Sequence, residues 1–199
     1  MRVKAIACGL DFVLCLTPTG QVFSKGLGSR GQLGLGDLDD RERLTLIEAL
    51  QVLTVVAVSA GNWHALCLTD TGDVYSWGWN EHGQLGHKSF SLRKKLGYPR
   101  EALADSISVL ASPKPVEIPE DERVIQISCG ARHSACLTDH NHVYVFGWNG
   151  FGQLGVDPNG DAIDTPTLVN PGFGEKTRSI TSVRCGTWST TLVLENAIA

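Results

Sequence analysis

The sequence predicts an all-β fold built from internal repeats, and three observations support this prediction. One pattern recurs at four places in the 199 residues, and strand-like stretches flank a turn signal within each full copy. Glycine, which tight turns between strands require, is abundant at 22 residues. Hydrophobic residues make up 42% of the chain and charged residues 19%, which is ordinary for a globular protein with a buried core.

The repeat is clearest between its second and third copies. The second copy is AGNWHALCLTDTGDVYSWGWNEHGQLG, and the third is CGARHSACLTDHNHVYVFGWNGFGQLG. The three full copies align without a gap, which chance does not produce. We therefore interpret the whole chain, 1–199, as a single repeat domain. The repeat cores are 8–34, 60–86, 129–155 and, truncated, 185–195.

Each copy predicts two strands joined by a tight turn. In the second copy, side chains alternate around a strand period at 65–69, a turn follows at 70–73, and 74–77 forms the return strand. Asn141 occupies the glycine position of this turn in the third copy, and asparagine is the next most tolerant residue there. A further strand is expected before each copy, at 3–7, 55–59, 124–128 and 180–184. Residues 44–53 have the composition of a short helix but suit an extended segment at least as well.

The cysteines and histidines do not predict a catalytic or metal site. The six cysteines recur at two repeat positions, so each faces a blade core rather than another cysteine, and no C-x-x-C pair occurs. His64 and His133 share one repeat position and are expected to satisfy backbone groups between strands. His140 and His142 flank Asn141, but one hairpin offers only two metal ligands, so we expect an exposed turn. No cofactor, metal or catalytic constellation is expected, and we interpret the chain as not being an enzyme.

The segment GLGSRG at 26–31 matches the G-x-G-x-x-G nucleotide fingerprint. In the other copies the middle glycine of this segment is replaced, and Gln-Leu-Gly follows instead of a helical pattern. Because the fingerprint needs a helix N-terminus to receive the phosphates, we expect no nucleotide site here.

The repeated residues resemble the regulator of chromosome condensation repeat family. The family pattern of a small-Gly-x-x-His start, Thr-x-x-Gly, Val-Tyr-x-Trp-Gly and a Gly-Gln-Leu-Gly close is matched from Gly61 to Gly86, and most of it recurs from Gly130 to Gly155. The resemblance implies a β-propeller, usually of seven four-stranded blades. With about three and a half units, we expect a partial, open β-propeller of this type. An open stack exposes blade faces and strand edges, so we expect a fragment or truncated gene product, a pair of copies, or a partner that covers the ends.

The resemblance also carries the functional expectation. Within the family, the pattern is most similar to the C-terminal half of a metazoan member understood as a chromatin-associated partner of a JmjC-domain histone hydroxylase/demethylase. This implies a non-catalytic protein-interaction module, an adaptor with a nuclear or chromosomal location. The alternative is guanine-nucleotide exchange on a Ran-type small GTPase, the activity of the founding member, which rests on a complete ring and a wedge insertion. An enzyme with its own active site is the third and weakest hypothesis.

Charge and hydropathy limit the partners. A net charge of −4 argues against a dominant nucleic-acid-binding role, so no direct sequence-specific nucleic-acid contact is expected. No apolar run approaches the length of a membrane-spanning helix, and the first residues do not resemble a clean signal peptide, so we expect an intracellular protein without a membrane contact.

Two sets of residues are candidates for partner binding. The residues between each opening glycine and the histidine position vary within a constant framework, and in the family these turns gather on one end face near the propeller axis. Tryptophan and arginine there suit binding hot spots, unless the tryptophans merely pack between blades; Trp79 and Trp148, in a repeated Gly-Trp-Asn, are expected to be structural. The insertion at 87–113 forms a basic loop that either meets an acidic partner or phosphate backbone, or is simply solvated and mobile. The turn candidates are Asp11, Asn62, Trp63, Arg132 and Trp188; the loop candidates are Lys88, Arg93, Lys94, Lys95 and Arg100.

Overall fold

A computed structural model of the chain describes residues 2–156, 160–169 and 178–196. They form three four-stranded antiparallel sheets and one two-stranded sheet, and in each sheet the strands follow chain order. The first blade contains β1 (Ala5–Cys8), β2 (Phe12–Leu16), β3 (Val22–Gly26) and β4 (Arg41–Leu46). The second contains β5 (Val55–Ala60), β6 (His64–Thr69), β7 (Val74–Trp79) and β8 (Val109–Pro115). The third contains β9 (Val124–Cys129), β10 (His133–Thr138), β11 (Val143–Trp148) and β12 (Ala162–Leu168), and the fourth unit contributes β13 (Arg178–Cys185) and β14 (Thr190–Asn196).

The predicted all-β, partial open β-propeller is confirmed. The first strands of successive units, β1, β5, β9 and β13, contact one another in that order, so the blades are arranged around a common axis. The strands expected before each repeat copy are present as these four first strands. Residues 44–53 contain both of the expected conformations. The extended strand β4 ends at Leu46, and a single 3₁₀ turn follows at Glu48–Leu50.

The hydrophobic cores lie between blades rather than within them. The alternation of β6 explains this, because Cys67 packs with Leu14 of the first blade whereas its neighbour Leu66 packs with Phe146 of the third. A third core joins Val145 of the third blade to Val183 of the fourth unit. Each blade therefore needs its neighbour to bury its apolar face, as expected for a repeat architecture.

The cysteines behave largely as the sequence predicts. All six are free thiols, and Cys15, Cys67, Cys129 and Cys136 are buried. Burial raises the pKa of Cys67 to about 12, so this thiol is not a nucleophile at neutral pH. Cys8 differs and is exposed. The equivalent Cys129 packs towards the preceding blade, and no described blade precedes the first.

His64 and His133 contact side-chain hydroxyls of the neighbouring blade, in addition to the backbone groups that the sequence led us to expect. His64 Nε2 lies 3.0 Å from the Ser134 hydroxyl of the third blade, and His133 Nε2 lies 3.1 Å from the Thr190 hydroxyl of the fourth unit. Both imidazoles are fully buried. The histidine position of the repeat therefore connects one blade to the next through a side-chain hydrogen bond.

The insertion at 87–113 has an ordered structure. It contains the helix α1 (Phe90–Lys95), capped at its start by the Ser89 hydroxyl, which accepts from the Leu92 N–H at 3.2 Å. A 3₁₀ helix follows at Arg100–Leu103, and the last residues of the insertion belong to β8. Among the described residues, no helix has the length and apolar character that crossing a membrane requires.

Candidate functional site

The turns that open the four units lie side by side at the propeller axis. Backbone hydrogen bonds connect them in sequence, from Leu10 N to Asn62 O at 3.0 Å, from Asn62 N to Ala131 O at 3.1 Å, and from Ala131 N to Thr187 O at 3.1 Å. These residues line an open cavity of about 270 Å³. The turns therefore share one end of the molecule, as the resemblance implied.

A second repeated backbone bond places an aromatic residue beside two of these turns. Trp79 N donates to Trp63 O, and Trp148 N donates to Arg132 O, each at 2.8 Å. The contact requires glycine at position 78, because a Cβ there would lie 2.4 Å from Trp63 O and the backbone φ is +105°. The repeated Gly-Trp thus brings the strand end against the opening turn.

Side chains from three repeat positions form a continuous row, which we call the aromatic belt. The Trp63 and Trp79 rings meet edge to face with their centroids 5.4 Å apart, and Trp148 meets Trp188 in the same way at 5.1 Å. His82 lies between the two pairs, 6.4 Å from Trp79 and 6.3 Å from Trp148. The belt comprises Arg30, Trp63, Trp79, His82, Arg132, Trp148, Phe151 and Trp188.

Two arginines place positive charge within the belt. The Arg30 guanidinium lies 4.4 Å from the Trp63 ring centroid and 5.0 Å from that of Trp79, within cation–π range. Arg132 Nη1 lies 3.3 Å from His82 Nε2. Burial and the Arg132 charge lower the pKa of His82, so its Nε2 is an acceptor for that arginine at neutral pH.

The exposed part of the belt lies at the fourth unit. Phe151 is 70% exposed and Trp188 is 40% exposed, although their ring centroids are 6.1 Å apart. Both residues border an open groove of about 300 Å³ whose walls include Val145 and Leu192. A groove with partly apolar walls next to two exposed rings is typical of a surface that receives a partner side chain.

The structure brings together three of the five predicted turn residues. Trp63, Arg132 and Trp188 are members of the belt, whereas Asn62 lines the axial cavity through its backbone contacts. Asp11 is exposed on the first blade and is not a member of the belt. Trp63, Trp79, Trp148 and Trp188 contact one another or their neighbours along the end face, whereas Trp77 fills the core between the first and second blades.

Sequence reasoning missed five members of the belt. Trp79 and Trp148 were expected to be structural because Gly-Trp-Asn recurs, but the structure shows both rings packed against the variable turns. Arg30, His82 and Phe151 occupy one repeat position, four residues after the strand-ending glycine, and none was singled out. The sequence did contain a signal for these three residues, because their repeat position varies between copies while the flanking residues are constant.

Two side chains of the basic loop form ion pairs with the third blade, so the loop is not simply solvated and mobile. Arg93 Nε lies 2.7 Å from Asp164 Oδ2 in a half-buried ion pair, and Lys95 Nζ lies 2.8 Å from Asp161 Oδ2 on the surface. The remaining candidates, Lys88, Lys94 and Arg100, are exposed. Helix α1 is therefore fastened to the third blade, and it borders the belt at His82 and Trp148.

Two arrangements that resemble catalytic or nucleotide sites do not support that chemistry. His64 and Ser134 could pass for a base and a nucleophile, but both are fully buried and the Ser134 hydroxyl donates to Gln84 O at 2.9 Å. In the glycine fingerprint, Gly28 N donates to the Asp40 carboxylate at 2.8 Å, and a turn follows instead of a helix. A phosphate would meet a negative charge there.

Comparison with known proteins identifies the family. The family model described as the regulator of chromosome condensation (RCC1) repeat matches residues 19–68, 71–137 and 140–193. The chain belongs to the RCC1 repeat family. A second model with the same description matches 3–32, 55–84 and 124–153.

Relatives of this RCC1-repeat chain share its sequence over nearly its whole length. It is 37% identical to the mouse RCC1 domain-containing protein 1 and 35% identical to the human protein, in each case over 96% of the chain. These matches span 55% and 56% of the relatives' own lengths, so the chain covers about half of the proteins it resembles. It is also 32% identical to the Ultraviolet-B receptor UVR8 of Arabidopsis thaliana, over 82% of the chain and 32% of the relative.

Solved structures show the same fold. Human WBSCR16 superposes with a TM-score of 0.79 and 26% identity, over 96% of this chain and 45% of that one. Prp20p from Saccharomyces cerevisiae, studied for its binding properties to Gsp1p and histones, superposes with a TM-score of 0.77 and 22% identity, over 98% of this chain and 44% of that one. The RCC1-repeat chain therefore has the blade arrangement of these propellers.

Proposed function

We propose that this RCC1-repeat chain is a protein-interaction module without chemistry of its own, and that the aromatic belt is the surface on which its partner binds. The observation that carries the proposal is the row of stacked rings and arginines at the end face. Tryptophan and arginine are the residue types that contribute most binding energy in protein interfaces. Edge-to-face contacts between neighbouring rings hold them in place, so little conformational entropy is lost when a partner binds them.

The chemistry of the belt favours a particular kind of partner segment. Trp188 and Phe151 present apolar rings beside a groove of about 300 Å³, which suits an inserted apolar side chain. Arg132 and the exposed lysines of the neighbouring insertion suit acidic residues next to that side chain. A segment that combines an apolar anchor with acidic flanks would match both features.

The partner that we propose is a JmjC-domain histone hydroxylase/demethylase, and the setting is chromatin in the nucleus. The support is the resemblance to the RCC1 domain-containing protein 1, which covers almost the entire chain. In this role the chain is an adaptor that binds the enzyme rather than an enzyme itself.

Quantitative capture tests this proposal. The full chain, Trp188→Ala and Trp63→Ala are each titrated against the JmjC-domain protein. Removal of a central interface tryptophan costs about 2 kcal/mol, so each variant should bind about 30-fold more weakly. Val52→Ala is the matched control, because Val52 is 91% exposed and takes no part in the belt.

The result depends on folding being preserved. Trp188 is 40% exposed, so Trp188→Ala should retain the circular dichroism spectrum and the unfolding midpoint of the original chain. Capture that neither variant weakens, or an absence of capture by the original chain, would overturn the proposal. Capture of nucleosomes only when the JmjC-domain protein is present would support the adaptor role.

A further inference from the structure

A second candidate site lies away from the belt, at the hairpin turn between β10 and β11. Glu122, in the loop that leads into β9, lies against this turn, and its side chain is only 4% exposed. Its Oε1 pairs with His142 Nδ1, and its Oε2 lies 3.7 Å from His140 Nδ1. The carboxylates of Glu122 and Asp139 and the His140 imidazole each offer one ligand atom, and these three atoms all lie within 4.8 Å of one another.

One oxygen of this group has no partner. Glu122 Oε2 is buried and has no hydrogen bond among the described residues. The site therefore contains a buried carboxylate oxygen beside the His140 imidazole, a position that a cation can occupy.

The backbone fixes the positions of these side chains. Asp139 N donates to Arg123 O at 3.0 Å, which ties the hairpin turn to the loop that contains Glu122. Within the turn, Thr138 N donates to His142 O at 2.9 Å, and Asn141 adopts φ of +68°, the left-handed conformation that reverses the chain. The candidate ligands are thus held on two connected turns before any ion binds.

We propose that Glu122, Asp139 and His140 bind a divalent transition-metal ion, with Zn²⁺ as the best match, and that His142 orients the glutamate. One imidazole and two carboxylates form a mixed nitrogen and oxygen set, which zinc accepts in tetrahedral geometry with water as the fourth ligand. Calcium and magnesium prefer oxygen ligands alone. The hydrogen bond from His142 to the other glutamate oxygen is the outer contact that metal-binding carboxylates commonly have.

The site is a feature of the third unit and not of the repeat. In the equivalent turn of the second blade, Thr71 and Asp73 stand where His140 and His142 stand in the third. There the Thr71 hydroxyl simply donates to the Asp73 carboxylate at 2.6 Å. The sequence indicated only the two histidines, because Glu122 reaches them through the packing of one loop on another.

Calorimetric titration of the full chain with zinc chloride, after removal of any histidine tag, tests the proposal. One saturable site is expected, and zinc should raise the thermal midpoint of the chain. His140→Ala should abolish this binding, and His142→Ala should weaken it about tenfold, as is usual for an outer contact. Both histidines are about half exposed, so circular dichroism of the metal-free variants should match that of the original chain.

Two control variants separate this site from adventitious binding. Asp73→Asn changes the equivalent hairpin of the second blade, and Cys8→Ser removes the exposed thiol; both should retain the site. Cobalt chloride should give the visible absorption of a nitrogen and oxygen site without a thiolate band. An absence of saturable binding, binding that survives His140→Ala, or binding that is lost in Cys8→Ser would each overturn the proposal.

Discussion

Acidification should destabilise the chain through His64 and His133, the two imidazoles that join neighbouring blades. Burial, together with the His133 charge, lowers the pKa of His64 to about 3, and burial lowers the pKa of His133 to about 4. In the unfolded chain both would titrate near 6.5. Between these values the unfolded state binds more protons than the folded state, so stability is lost as the pH falls below about 6.5.

The size of the effect follows from these values. At pH 5, each unfolded imidazole is about 1.5 pH units below its pKa, and each unit corresponds to about 1.4 kcal/mol. The folded state gains almost no protons at that pH. The two histidines together should therefore lower the free energy of unfolding by about 4 kcal/mol between pH 7 and pH 5.

Urea denaturation at the two pH values, followed by tryptophan fluorescence, measures this loss. With a slope of about 2 kcal/mol per molar urea, the midpoint should fall by about 2 M. His64→Phe inserts the residue that the first blade carries as Phe12, so it should remove the His64 contribution of about 2 kcal/mol from the loss between pH 7 and pH 5. Phe12→Leu, which changes the same repeat position without a titratable group, should lower stability equally at both pH values. Equal acid losses in the original chain and in His64→Phe would refute the reasoning.

Three further outcomes concern the opening glycine, the insertion and nucleotide exchange. Gly61→Ala should cost about 1–3 kcal/mol in chemical denaturation, because a Cβ there would lie 2.1 Å from the His64 ring, whereas Gly186→Ala meets a small serine hydroxyl and should cost less. Asp164→Ala removes the ion pair with Arg93 and the acceptor of the Ser89 N–H, so it should accelerate amide exchange across 89–96. Unchanged exchange would show that other contacts hold α1 in place. Nucleotide release from a Ran-type GTPase should not accelerate, and acceleration by the full chain would contradict the non-catalytic role.

The blade architecture could be predicted because its signals are local and repeated. Alternation along each strand and a glycine or Asn141 in each hairpin turn predict the same unit several times. An ambiguous segment in one copy can therefore be interpreted from the equivalent segments in the others. Residues 44–53 were ambiguous, because packing against the next blade decides their conformation and composition does not.

The candidate sites were only partly predictable, because both depend on contacts between distant segments. The repeat position that Trp63, Arg132 and Trp188 share varies between copies within a constant framework, and this variation identified them as candidates for partner binding. Trp79 was set aside as a motif residue, although its backbone bond to Trp63 O brings its ring onto the same face. The partner of His64 is Ser134, seventy positions later on another blade, and no spacing rule indicates it.

Hydroxyl-radical footprinting of the chain with and without the JmjC-domain protein tests most directly whether the aromatic belt is the binding surface. In the free chain, Phe151 and Trp188 should be oxidised readily because both rings are exposed. In the complex, oxidation of both should fall several-fold, while Val52, which is 91% exposed and takes no part in the belt, should react as before. Unchanged oxidation of Phe151 and Trp188 in a fully formed complex would contradict the account.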